Sequence, residues 1–299
     1  MADGFAAVRV VDFDNLQQQV DGLSGGKRFY AFRGYTAPDL VKERYRPKAF
    51  VTGLQRVCEE IDSDLKFAQR REAAIAREFM RRAHHHLTDV PAPRGLSDEA
   101  DHLEWLALMQ HHGAPTRLLD WTYSLYVATH FACQRASREG GEPAVWMVNT
   151  EWCLQASVAK CQEVGVSVGA LANRPMRAAG YAEAYDYLLS GVFPPSVWPV
   201  NPFRLNERLT LKRGVFLLGA DATKTFAENL TSLPDCYQRE HVICFVIPSD
   251  QVSKVQRMLH EANVTDATLF PGLDGFARSL WGSARFNDPS ESPPSITEI

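Results

Sequence analysis

Apolar and polar positions alternate or recur along this chain in blocks that define its elements. Ala7 to Phe13 reads as a strand, and Asp14 or Asn15 as the cap of a short helix from Leu16 to Leu23 that ends at Ser24-Gly25-Gly26. Arg28 to Tyr35 is an aromatic-rich run that predicts a second strand. From Leu54 to about Leu87, Val57, Ile61, Leu65, Ala68, Ile75, Phe79 and Ala83 share one helical face. A further helix is expected from Leu96 to Gln110, capped by Ser97, with Leu103, Leu106, Ala107 and Met109 inward. A short strand then precedes a nearly all-apolar helix, Leu125 to Gln134, capped by Thr122 or Ser124. Ala144 to Val148 predicts a strand and Trp152 to Val164 a helix. Val197 to Pro202 reads as extended, and Arg208 to Leu218 and His241 to Ile247 as strands. Asp250 to Ala262 is amphipathic, and Leu269 to Gly275 forms a turn into a helix from Phe276 to Trp281.

Strands separated by helices, with no internal repeat, predict an α+β domain with a mixed sheet packed with helices. Residues 1–27 contribute a strand and helix to this domain, residues 28–281 its body, and residues 282–299 read as a disordered tail, Ser- and Pro-rich from Asn287. The length of 299 residues, 45% hydrophobic and 23% charged, excludes a fibrous or intrinsically disordered chain. A net charge of −4 argues against nucleic-acid binding through bulk charge. Six cysteines without a Cys-x-x-Cys spacing read as reduced thiols of a cytoplasmic protein. No apolar run approaches the ~18 residues of a membrane span, and no basic-then-apolar leader opens the sequence, so no membrane partner is expected.

Three stretches carry the candidate chemistry. The aromatic strand ends in Phe32-Arg33-Gly34. Gln110-His111-His112-Gly113-Ala114-Pro115-Thr116-Arg117-Leu118-Leu119-Asp120-Trp121-Thr122 follows later, then Ala128 and Phe131-Ala132. With Asn206 to Phe216 and Leu269 to Ala277, these residues resemble the FRG domain, a bacterial and phage family named for its Phe-Arg-Gly. The resemblance spans roughly residues 28 to 280. It leads one to expect Gln two residues before Gly214-Val215-Phe216, where this chain has Lys212-Arg213.

On physical grounds, Arg33 beside Gly34 offers a planar donor fork next to closely approachable backbone. That suits phosphate or pyrophosphate, and equally a structural pairing with a carboxylate such as Asp120. His112, or its neighbour His111, is the candidate for proton transfer, or else a helix-end histidine satisfying carbonyls. Arg117 either assists Arg33 in binding an anion or pairs with Asp120, and Arg208 has the same two readings. Adjacent helical histidines at His84-His85-His86 diverge by about 100° and make a poor metal site. The basic helix carrying Arg70, Arg71, Arg77, Arg81 and Arg82, interrupted by Glu72 and Glu78, reads as a solvated face.

The motif order is also similar to that of ADP-ribosyltransferases. By that resemblance the chain has a transferase-like core and takes NAD as substrate, acting as a toxin or defence effector on an unknown protein or nucleic-acid acceptor. Arg33, Thr116, Arg117 and Arg208 then belong to the NAD-binding set. Trp121 and Thr122 line the nicotinamide side, and Asp120, Glu207 and His112 are the catalytic candidates. A non-catalytic nucleotide- or phosphate-binding module, or a protein–protein scaffold, remains the alternative.

Overall fold

Val242–Val246 is an unbroken apolar run, and every one of its side chains is buried, as a central strand covered on both faces requires. The computed structural model describes residues 4–25, 29–37, 47–61, 64–83, 85–86, 102–168, 193–201 and 210–286. We label its strands β1 (Ala6–Arg9), β2 (Tyr30–Ala37), β3 (Leu118–Thr122), β4 (Glu142–Asn149), β5 (Val197–Val200), β6 (Gly214–Gly219) and β7 (Val242–Val246). The helices are α1 (Phe13–Ser24), α2 (Gly53–Glu60), α3 (Ala68–Ala83), α4 (His102–His111), α5 (Leu125–Glu139), α6 (Thr150–Glu163), α7 (Phe226–Thr231), α8 (Val252–Glu261), α9 (Asp266–Leu269) and α10 (Leu273–Phe286). Among the described residues the strands form one sheet in the order β1-β7-β4-β2-β3-β6-β5. Only β1 and β7 run parallel.

The expected α+β class is therefore observed. On one face, α1, α5 and α8 pack Leu16, Leu125, Ala128, Ala132 and Leu259 against Phe32, Met147 and Phe245. On the other, Phe50, Trp121, Trp146, Leu217 and Phe226 form a core with Cys153 and Ala156 of α6. Leu106 and Met109 of α4 pack with Leu118, Trp198 and Phe216 near the β5 edge. Seven strands with helices on both sides make a three-layer arrangement.

Several element ends differ from the expectation. The long helix from Leu54 is two helices, because Asp64 accepts from the Lys66 amide and starts a 3-10 turn (Leu65–Phe67) before α3. Asp12, not Asp14 or Asn15, caps α1 by accepting from the Asn15 amide. Ser124 caps α5, while the Thr122 hydroxyl binds the Ser124 amide. Thr210 and Leu211 are helical and Lys212-Arg213 form a turn with Arg213 at φ 48, so β6 begins only at Gly214. α10 starts at Leu273 and runs to Phe286, so residues 282–286 are helical rather than tail. α7 has its signal in the Thr225/Glu228 capping box. Ser97 and residues 287–299 lie outside the described residues. Among the described residues, no helix is long and apolar enough to cross a membrane.

Candidate functional site

The pairing of β2 sets up the site. On one side every residue from Tyr30 to Ala37 pairs with β4, but on the other β2 meets β3 at a single point, Phe32 opposite Thr122. Beyond that point the two strands separate around a cleft of about 420 Å³. Arg33, Gly34 and Tyr35 form one wall, and Asp120, Trp121 and Thr122 the other. Val127, Phe131 and Gln134 of α5 line its side, with Lys48, Arg56, Gln110, His111, Lys212 and Phe270 around the opening.

Each residue of Phe32-Arg33-Gly34 has a separate physical reason. Phe32 is buried under α5. A strand sends the next side chain to the opposite face, where Arg33 Nε donates to the Ala49 carbonyl (2.7 Å) and a terminal nitrogen to the Asp120 carbonyl (2.5 Å). The guanidinium thus holds β3 across the gap left by the missing β2–β3 ladder. Burial pulls its pKa down while the Asp120 charge opposes that pull, and an arginine remains charged regardless. Gly34 returns to the α5 face. A Cβ there would sit 1.8 Å from the Ala128 carbonyl oxygen, so only glycine allows the helix backbone to lie on the strand.

Asp120 is exposed to the cleft and oriented from behind. The Gln110 amide donates to Asp120 Oδ2 (2.8 Å), the Thr116 hydroxyl donates to Gln110 Oε1 (2.6 Å), and Thr116 accepts from the Leu118 amide (3.2 Å). The carboxylate therefore has one oxygen engaged and can offer the other to a ligand. Trp121 is 4% exposed, and its indole Nε1 is a buried donor without a partner among the described residues. The Thr122 hydroxyl donates to the Lys212 carbonyl (2.5 Å) and the Tyr123 amide donates to the Arg213 carbonyl (3.0 Å), fixing the left-handed turn before β6. The Lys212 ammonium lies 3.7 Å from the Phe270 ring centroid and 5.5 Å from that of Phe131, a cation–π arrangement at the cleft.

The structure thus brings together Arg33, Asp120, Trp121 and Thr122 and leaves other expected residues elsewhere. His111, not His112, lines the cleft, and His112 is exposed with its ring edge-on to His111. Thr116 is fully buried and acts through Gln110. Arg117 pairs with neither Arg33's ligand nor Asp120. Its Nε lies 2.5 Å from Glu72 Oε2, its amide donates to Glu72 Oε1 (2.8 Å), and both side chains are buried. Glu72 accordingly belongs to the interior rather than to a solvated helix face, whereas Glu78 does form exposed pairs with Arg81 and Arg82. Arg33 meets the backbone of Asp120 and not its carboxylate. Glu207, Arg208 and His84 lie outside the described residues. Among the described residues no cluster of His, Cys, Asp and Glu forms a metal site. Gln110 lies within the motif, and the structure gives it the role of orienting Asp120. Lys48 and Arg56 carry no local signal, since only the tertiary fold brings them to the cleft.

Residues 29–140 match the model of the FRG domain family. This segment contains β2, the split, β3 and α5, which together build most of the cleft. No curated protein and no solved structure matches the chain.

Proposed function

We propose that the cleft binds NAD and that the protein is an NAD-dependent ADP-ribosyltransferase or NAD glycohydrolase. The observation that carries this reading is the charge arrangement at the β2–β3 split. Arg33, Lys48, Arg56 and Lys212 face a space in which Asp120 is the single carboxylate among the lining residues. Several cations suit a pyrophosphate, and the aromatic surfaces of Tyr35, Trp121 and Phe131 suit its bases. One oriented carboxylate suits a ribose that becomes positively charged.

In this reaction the bond between nicotinamide and ribose C1′ breaks, and its electron pair leaves with nicotinamide. An acceptor oxygen or nitrogen, or water, then bonds to C1′ and gives up a proton. Asp120 stabilises the developing charge on the ribose. His111, at the opening, takes the proton. The test pairs NAD titration calorimetry with nicotinamide release. Wild type should bind and cleave NAD, and Asp120→Asn should bind it while losing cleavage. Failure of the wild type to bind NAD would sink the proposal. Binding without release in any variant would leave a nucleotide-binding module, a reading favoured by Lys212 standing where Gln was expected.

A further inference from the structure

Behind the cleft lies a second cavity of about 480 Å³ between α5, α8 and α10. Gln134 lines both spaces. Its position on α5 explains this. Val127, Phe131 and Gln134 are spaced four and three residues apart and share the cleft-facing stripe, while His130 and Gln134 are four apart and share the stripe facing α9. On that second side, Gln134 Nε2 donates to both oxygens of Asp266, at 2.7 and 2.6 Å. Asp266 is 6% exposed, with His130 Nε2 3.5 Å from the same carboxylate.

A carboxylate can only accept, so it fixes which end of the Gln134 amide faces it. Burial alone would raise the Asp266 pKa. The nearby His130 ring, the Gln134 bond and the charge of Arg278 outweigh burial and hold it below the usual carboxylate value. With its nitrogen committed, Gln134 has its carbonyl oxygen left to offer. That oxygen takes no donor among the described residues.

We infer that Gln134, oriented by Asp266, is the specificity residue of the cleft and accepts a hydrogen bond from an amino group of the nucleotide. This rests on the nucleotide reading above and deepens it. NAD carries two such groups, the adenine 6-amino group and the nicotinamide carboxamide. Replacing either by an oxygen acceptor turns attraction at Gln134 into repulsion between lone pairs.

The experiment measures binding of NAD, nicotinamide hypoxanthine dinucleotide and nicotinic acid adenine dinucleotide by calorimetry. It uses wild type, Asp266→Asn and Gln134→Leu. One analogue should bind wild type about tenfold or more weakly than NAD, the loss expected when a polar group is left opposed rather than paired. Weak binding of the hypoxanthine analogue seats adenine at Gln134, and weak binding of the nicotinic acid analogue seats the carboxamide there. Asparagine at 266 can donate as well as accept, which frees the Gln134 amide to turn over. The preference should then shrink in Asp266→Asn and disappear in Gln134→Leu. Equal binding of all three dinucleotides by wild type, or a preference undiminished in both variants, overturns the inference while leaving the NAD site standing. Absence of NAD binding altogether refutes the nucleotide reading, and the inference falls with it.

Discussion

Arg33 lies on β2 and Arg117 immediately before its neighbour β3, yet they end in opposite surroundings. Arg117 is sealed against Glu72 behind β3, with both partners buried and both carboxylate oxygens engaged by Arg117. Arg33 lines an open cleft and spends its donors on two backbone carbonyls, while the nearby Asp120 carboxylate keeps an oxygen for something else. The first region is complete without a ligand. The second is held in place by its own hydrogen bonds and keeps one carboxylate oxygen of Asp120 open to the cleft. Residues alike in sequence thus separate into stability and binding according to whether their partners are already in place.

Mutations can break or sharpen this contrast. The largest effect is expected behind β3. Glu72→Ala leaves a buried guanidinium unpaired and should cost about 3–5 kcal/mol, read as a fall in the urea midpoint. In the cleft, Asp120→Asn should lower nicotinamide release by about 100-fold or more. Its unfolding free energy should change by under about 0.5 kcal/mol, because the side chain is exposed. Comparable destabilisation by the two variants would erase the distinction between the regions. Gly34→Ala drives a methyl into the Ala128 carbonyl and should cost about 1–3 kcal/mol, measured by thermal unfolding. Arg33→Lys keeps the charge but loses the two-carbonyl fork. A loss of about 1–2 kcal/mol is expected in the same assay, together with weaker NAD binding.

The smallest effect concerns acid. The Asp266 pKa is lower folded than its unfolded value of 3.8, so its stabilising contribution is complete above that value and lost as pH falls through the folded pKa. The difference in urea midpoint between wild type and Asp266→Asn should therefore narrow below about pH 4. A constant difference would mean that the Asp266 charge contributes nothing to stability.

Much of this was readable in the sequence where local patterning decides the outcome. The apolar run of β7 and the inward face of α4 behaved as their composition required, whereas the close approach that Gly34 allows is taken by the backbone of α5 rather than by a ligand. The limits of the reading have physical causes. Helical periodicity continued through Asp64, but a side chain accepting from the backbone restarted the helix there. The motif placed His111 and His112 together, and only the turn at the end of α4 decides which ring meets the cleft. The choice of Glu72 over Asp120 by Arg117 depends on α3 packing behind β3, a contact 45 residues apart in sequence. Asp266 and Gln134 are 132 residues apart, and nothing local to either announces the pair.

All six cysteines are buried, and burial pushes the Cys133 thiol up to about 12 and that of Cys153 higher still. A thiol reacts with alkylating reagents as its thiolate, so Cys133 and Cys153 are almost unreactive in the folded chain at neutral pH. Cys133 immediately precedes Gln134 on the helix that walls the cleft, whereas Cys153 lies on α6 across the sheet. Alkylation of these two sulfurs, resolved by mass, turns the native chain into its own clock for how often each layer opens.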